Sequence, residues 1–235
     1  MKILALDTSN YTLGVALVDD EKVLGEYITY SKKNHSVRIM PAIQTLMKDC
    51  DWNPGELDRI VVAKGPGSYT GVRIGVTIAK TLAWSLKIPL VGVSSLEILA
   101  AGAGRYFNGS VAPLFDARRG QIYTGLYQST NGKMDQLEKD QLIMISDWTE
   151  KLKNRKEKIL FIGNDVSIHR SFIEEKLGEQ AVFAEMAENN PRPSELALLG
   201  KNRPSEDVHS FVPNYIRLAE AEAKWLEANG QSKQG

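Results

Sequence analysis

The chain has one cysteine, three histidines, no excess of either charge and no long apolar run, and each shortage removes a class of function. A single cysteine, Cys50, forbids an internal disulfide and fits a reducing compartment. His35, His169 and His209 lie far apart, without H-E-x-x-H or H-x-x-x-H spacing, so no single motif offers a metal site. Lys plus Arg and Asp plus Glu both total 29, whereas a free-standing nucleic-acid binder carries a basic excess on one face. No stretch approaches membrane-spanning length, and MKILALDTSN at the start is too weakly apolar for a signal segment, so a cytoplasmic protein without membrane contact is expected. Neither a Gly-x-Ser-x-Gly elbow nor a Cys/His nucleophile signature is present.

What remains is a chain of 235 residues, 43% of them apolar, enough for a normal core. KILALDT (2–8), TLGVALV (12–18) and VLGEYITY (23–30) are β-rich runs on short polar connections, which predicts an antiparallel meander. Ile39, Met40, Ile43, Leu46 and Met47 recur at helical spacing over about 36–50, with Asn34 or Ser36 to cap and Pro41 near the first turn. RIVVAKG then reads as a buried strand, a helix is expected from about Gly71 to Leu86, and PLVGVSS and LEILAAGA add one strand and one helix. After GRYFNG the order begins again. SVAPLFDA, GQIYTGLYQ and a run ending in QLIMIS are strand-like, with Arg118 and Arg119 in the first turn. DWTEKLKN, KILFIG and DVSIHRSFIEEKL then alternate helix, strand, helix. This repetition predicts an α/β fold with a duplicated three-strand meander followed by alternating helices and strands. PSELALLGKNR and NYIRLAEAEAKWLEA are expected late helices, and the tail from about 229 reads as disordered.

Two stretches invite a ligand. Asp7 closes the first strand beside Thr8 and Ser9, where a carboxylate could orient a metal-bound water or a phosphate; the same residues are also explained by a capped turn. GPGSYTGVR (65–73) feeds a helix whose N-terminal amides would face an anion. It lacks P-loop spacing, its Pro66 removes an amide, and its context is not that of a Rossmann turn.

LALDTSNYTLGVAL, the capped helix and AKGPGSYTGVRIGVTIAKTLAWSLKIPLVGVSSLEIL, in that order, closely resemble the TsaB (YeaZ) family. The likeness is most specific over 1–104, continues through PLFDARRGQIYTGLY (113–127), and returns at PNYIR. The resemblance implies a two-lobed fold of the actin, Hsp70 and sugar-kinase (ASKHA) type, with lobes at 1–104 and 105–235 and the last helix packing back on the first. It implies a non-catalytic subunit needed to make threonylcarbamoyladenosine beside the anticodon of tRNAs reading codons that begin with A. The implied partners are TsaD, which carries the metal and transfers the group, and the ATPase TsaE, with tRNA met only through the complex. TsaD-like relatives carry a metal-binding His-x-x-x-His after the strand corresponding to PLVGV, where this chain has Ser95 and Leu99, so no metal of its own is expected. The DTS turn lacks the glycine that admits a phosphate, so no bound cofactor is expected either; Asp7, Ser9, Gly65, Gly67 and Ser68 remain candidates for auxiliary nucleotide contacts. A four-helix contact with TsaD, or with a second copy in a homodimer, is expected through Ile39, Met40, Ile43, Met47, Val72, Val76, Ala79 and Ala83, unless those stripes face the chain's own sheet. The rival readings are a metal- or ATP-dependent enzyme, protease-like or kinase-like, and a general interaction module.

Overall fold

Ile3–Asp7 (β1) and Thr12–Val18 (β2) pair antiparallel and are buried at every position, which is why their sequences run apolar without alternation. Val23–Tyr30 (β3) adds an antiparallel edge with exposed positions, completing the meander. A single turn of 3-10 helix at His35–Val37, capped by the Asn34 side chain, leads into Ile39–Asp49 (α1). Pro41 lies in the first turn of α1, where its missing N–H has no intrahelical partner to lose. Arg59–Ala63 (β4) returns parallel to β1, Tyr69–Leu86 (α2) starts two residues earlier than expected because the Ser68 side chain caps it, and Leu90–Val93 (β5) lies parallel to β4. Ser95–Gly104 (α3) follows, its N-terminus held by the Ser94 side chain.

The second half repeats the plan: Ser110–Asp116 (β6), Gln121–Thr130 (β7), Lys133–Met144 (β8), Ile145–Lys153 (α4), Ile159–Ile162 (β9), Val166–Leu177 (α5), the short unexpected edge strand Ala181–Phe183 (β10) and Pro193–Lys201 (α6). The two sheets run β3-β2-β1-β4-β5 and β8-β7-β6-β9-β10, the same order with the same pairing senses. The computed structural model describes residues 1–216, so all but the first three residues of NYIRLAEAEAKWLEA, and the whole tail, lie outside the described residues.

A cut at residue 104 separates the two sheets but not the two cores. α3 sends Leu96, Leu99 and Ala100 onto Val111, Phe115, Tyr127 and Ile162 of the second sheet. α6, its counterpart, sends Leu196 and Ala197 onto Ala5, Ala16, Val61 and Val91 of the first. Gly200 lets α6 come close, since a Cβ there would lie 2.3 Å from Val61 Cγ1. First-lobe charges hold both ends of α6. Glu26 accepts from the Ser194 amide (2.8 Å) and hydroxyl (2.6 Å) at the N-terminus, and Arg59 donates to the carbonyls of Gly200 (2.9 Å), Lys201 (2.9 Å) and Arg203 (2.8 Å) at the C-terminus. An acid at the positive end and a base at the negative end match the helix dipole.

The expected partner stripe is corrected by this packing. Ile39, Ile43 and Met47 of α1 and Val72, Val76, Ala79 and Ala83 of α2 lie against Leu4, Leu6, Val15, Ile60 and Val62 in the chain's own core. Only Met40, 37% exposed, is at the surface among the eight. Each helix has one apolar stripe, and the sheet takes it. Val76→Asp therefore buries an unpaired carboxylate and is expected to cost more than about 4 kcal/mol, whereas Met40→Asp should stay within about 0.5 kcal/mol of the native chain. Urea unfolding of the two variants distinguishes core from surface.

Candidate functional site between the lobes

The first strands of the two halves end facing each other across a cleft of about 750 Å³. Its walls come from the β1–β2 turn, the 31–35 loop, the start of α2, the β6–β7 turn and the start of α5. Ser9, Gly67 and Ser68 line it, while Asp7 and Gly65 lie behind the lining.

At the base of the first wall Asp7 is 1% exposed. Its Oδ1 accepts from the Ser9 amide (2.8 Å), and its Oδ2 has no partner among the described residues. Burial pushes the Asp7 carboxyl above its usual range, against the opposing pull of the Ser9 hydrogen bond and of His35. Ser9 is fully buried with an unpartnered Oγ. His35, also buried, donates from Nε2 to the Asn10 carbonyl at 2.7 Å, since that oxygen can only accept, and its Nδ1 has no partner among the described residues.

The glycine turn is packed onto this wall. The Ser68 amide donates to the Ser9 carbonyl (2.7 Å), and the Thr8 hydroxyl donates to the Gly71 carbonyl (2.7 Å). A Cβ at Gly67 would lie 2.1 Å from Ser9 O, one at Gly71 2.2 Å from Thr8 O, and one at Gly75 2.5 Å from Thr8 Oγ1. Three glycines at i, i+4 and i+8 are thus required by close approach of α2 to DTS, a contact within the protein that needs no bound phosphate. Behind them Gly65, at φ +98°, donates to Ser95 Oγ (3.2 Å) and accepts from the Ser95 amide (3.0 Å). Ser95 therefore fastens the turn to α3, and Leu99 packs on the second sheet, so both positions are taken up by contacts within the protein.

The second wall carries residues that sequence reasoning missed. Asp116 ends β6 as Asp7 ends β1; its Oδ1 accepts from His169 Nε2 (3.0 Å), its Oδ2 from the Arg118 amide (3.2 Å), and its amide donates to Asp165 Oδ2 (3.0 Å). Burial raises the Asp165 carboxyl above its usual range, with the Asp116 amide pulling it back. The signal that could have found Asp116 is the duplication itself, which makes it the counterpart of Asp7. Arg118, Arg119 and Gly120 are all left-handed, at φ 66°, 54° and 74°, and carry the two exposed arginines at the tip of this turn. Lys32 and Lys33, exposed on the opposite wall, complete a basic rim over an acidic floor. Among the described residues no group of three or more His, Cys, Asp or Glu is gathered to hold a metal, and no helix is long and apolar enough to cross a membrane.

Two sheets of one topology, exchanged third helices and a cleft between the ends of the two first strands define the actin, Hsp70 and sugar-kinase class. A family model described as TsaD, tRNA N6-adenosine threonylcarbamoyltransferase, matches residues 22–225. A relative from Bacillus subtilis (strain 168) called tRNA threonylcarbamoyladenosine biosynthesis protein TsaB is 61% identical over 97% of this chain and 99% of its own length. The protein of the same name from Escherichia coli (strain K12) is 38% identical over 54% of this chain and 55% of its own. The solved structure of YeaZ from Pseudomonas aeruginosa superposes with a TM-score of 0.76 at 25% identity, covering 91% of this chain and 99% of that one. The chain belongs to the TsaB (YeaZ) family.

Two outcomes follow from the geometry. Gly67→Ala must displace the Ser9 carbonyl and is expected to cost about 1–3 kcal/mol in urea unfolding, while Gly55→Ala, with open space around it, should be neutral or slightly stabilising. Asp7 is raised in the fold, so the native state holds its proton more tightly than the unfolded chain. The stability this provides is complete below the unfolded carboxyl value of about 3.9 and is lost as pH rises through the folded value. Asp7→Asn, whose amide oxygen still accepts from Ser9, should flatten that decline, so unfolding curves at pH 4 and pH 7.5 should differ less for the variant than for the native chain.

Proposed function

We propose that this chain is a non-catalytic, cytoplasmic subunit of the machinery that transfers the threonylcarbamoyl group to tRNA, and that it works by binding and supporting a TsaD partner, with TsaE completing the assembly. One observation carries the reading. At the positions where TsaD-like relatives hold their metal, Ser95 is fully buried and bonded to the Gly65 turn, and Leu99 is buried in the second-lobe core. Ser95 is committed to the glycine turn and Leu99 to the contact between the lobes, so the Lewis acid that would polarise the carbamoyl carbonyl has no ligands from them. The glycine turn supports the same reading, because its Ser68 amide is bonded to the Ser9 carbonyl rather than offered to a phosphate.

The partner surface is re-assigned to the outward faces of the same two helices. Val37 (69% exposed), in the 3-10 turn before α1, and Met40, in its first turn, stand at the surface, and Arg73 and Thr77 are exposed on α2. The same face serves a homodimer when TsaD is absent.

Reconstitution tests this directly. TsaD, TsaE, a TsaC-type enzyme and unmodified tRNA are combined with and without the chain, and threonylcarbamoyladenosine is measured in the tRNA. The expected result is modification only when the chain is present, with Met40→Asp weakening co-purification with TsaD by about tenfold, or 1.4 kcal/mol. Modification without the chain would remove the subunit role, and stoichiometric metal together with transfer by the isolated chain would assign it the chemistry instead.

A further inference from the structure

The interlobe cleft has features that a scaffold alone does not require. Among the residues that line it, His35 Nδ1 is buried with no hydrogen-bond partner among the described residues, and the buried Ser9 hydroxyl has only the Asp7 carboxyl beside it. Its lining also includes Asp116 and Asp165, whose carboxylates form an acidic floor. Lys32, Lys33 and Arg118 are exposed on opposite walls at its rim. Tyr11, 47% exposed, also lines it and contacts Tyr30, 51% exposed, edge to face at a centroid distance of 6.0 Å.

We propose that this cleft takes a single-stranded RNA segment, with phosphates along the basic rim and one base turned in against the tyrosines and the acidic floor. The inference rests on the tRNA-modification reading above. Carboxylates accept hydrogen bonds, and the exocyclic amino and ring N–H groups of a base supply the matching donors. Exposed aromatic faces stack on bases whatever their identity. The volume of about 750 Å³ falls within the range of sites that enclose one small ligand, enough for a nucleotide. A free nucleoside triphosphate fits worse. Its charge would go to the helix N-terminal turn, where the Ser68 amide is already bonded to the Ser9 carbonyl, and it would meet Asp116 and Asp165 at the floor. An RNA strand keeps its charge at the rim and sends only the base inward.

The test uses the full chain and a fluorescein-labelled, unmodified anticodon stem-loop RNA, followed by anisotropy over a series of salt concentrations. In the triple variant Lys32→Ala, Lys33→Ala, Arg118→Asn, the asparagine tolerates the left-handed backbone at 118. Removing three phosphate contacts should lower the slope of log affinity against log salt by about 2, and should weaken binding at low salt by more than about tenfold. Tyr11→Ala should weaken binding while leaving the salt slope unchanged. Thermal unfolding verifies that both variants remain folded. Unchanged affinity and slope in the triple variant would overturn the proposal, as would ATP displacing the RNA as effectively as unlabelled RNA does. In the reconstituted modification assay the triple variant should raise KM for tRNA more than it lowers kcat. An unaltered KM would reject the RNA site while leaving the subunit role standing, whereas modification without any chain present would reject that role itself.

Discussion

Helix α6 is held at its N-terminus by Glu26 and at its C-terminus by Arg59, and the relative placement of the two lobes depends on that clamp. The helix is encoded by the second half of the chain and completes the core of the first. Its counterpart α3 makes the reverse crossing, and ion pairs tie the two exchanged segments together: Arg105 with Glu195, and Arg203 with Glu97. Each lobe thus lacks a covering helix until the other is present. A two-lobed protein joined by one linker would hinge freely; here the exchange makes inter-lobe contact part of each hydrophobic core. The cleft inherits its shape from that exchange.

Within the frame so fixed, the approach of α2 to β1 determines what the cleft can hold. Gly67, Gly71 and Gly75 bring the helix against Thr8 and Ser9 closely enough that the backbone of each segment bonds the other. In a phosphate-binding loop the same freedom from Cβ atoms would open amides toward a ligand. Here the carbonyls of the DTS turn occupy that approach. The consequence reaches Asp7, which is left in a dry position with one unpartnered oxygen, a buried carboxylate that opposes stability at neutral pH. Local departures of this kind concentrate where a fold has been shaped by something other than its own stability.

The sequence made part of this legible, for physical reasons that differ from element to element. Strands buried on both faces announce themselves as unbroken apolar runs, so ILALD, RIVVA and ILFI were readable, and the repeated meander followed from their order. Ser68 and Ser94 mark helix starts by the chemistry of their side chains. The direction of a helical stripe was not legible: periodicity says that α1 and α2 each have one apolar face, and says nothing about whether a sheet or a partner covers it. The pairing of Asp116 with His169 across 53 residues, and the packing of α6 on a sheet encoded far upstream, are products of tertiary closure with no local trace. β10 is three residues long and half-buried, too short to carry a period.

Duplication sharpens the comparison between the two first-strand acids. Asp7 and Asp116 occupy equivalent ends of β1 and β6, yet the fold treats them oppositely. Asp116 is partly exposed and fully engaged, bonded by His169 and by the Arg118 amide, within a turn whose three successive left-handed residues hold the arginines out toward the mouth of the cleft. Asp7 is sealed beneath the lining, engaged through one oxygen alone. A pair of equivalent carboxylates that closed on one ligand, as a symmetric site would require, would need similar access to it. Burying one and tethering the other removes that symmetry. What is left at the surface of the cleft is asymmetric: carboxylates of the second lobe at depth, cations at the rim, and Tyr11 on the first-lobe side, so any molecule held there meets two unlike walls.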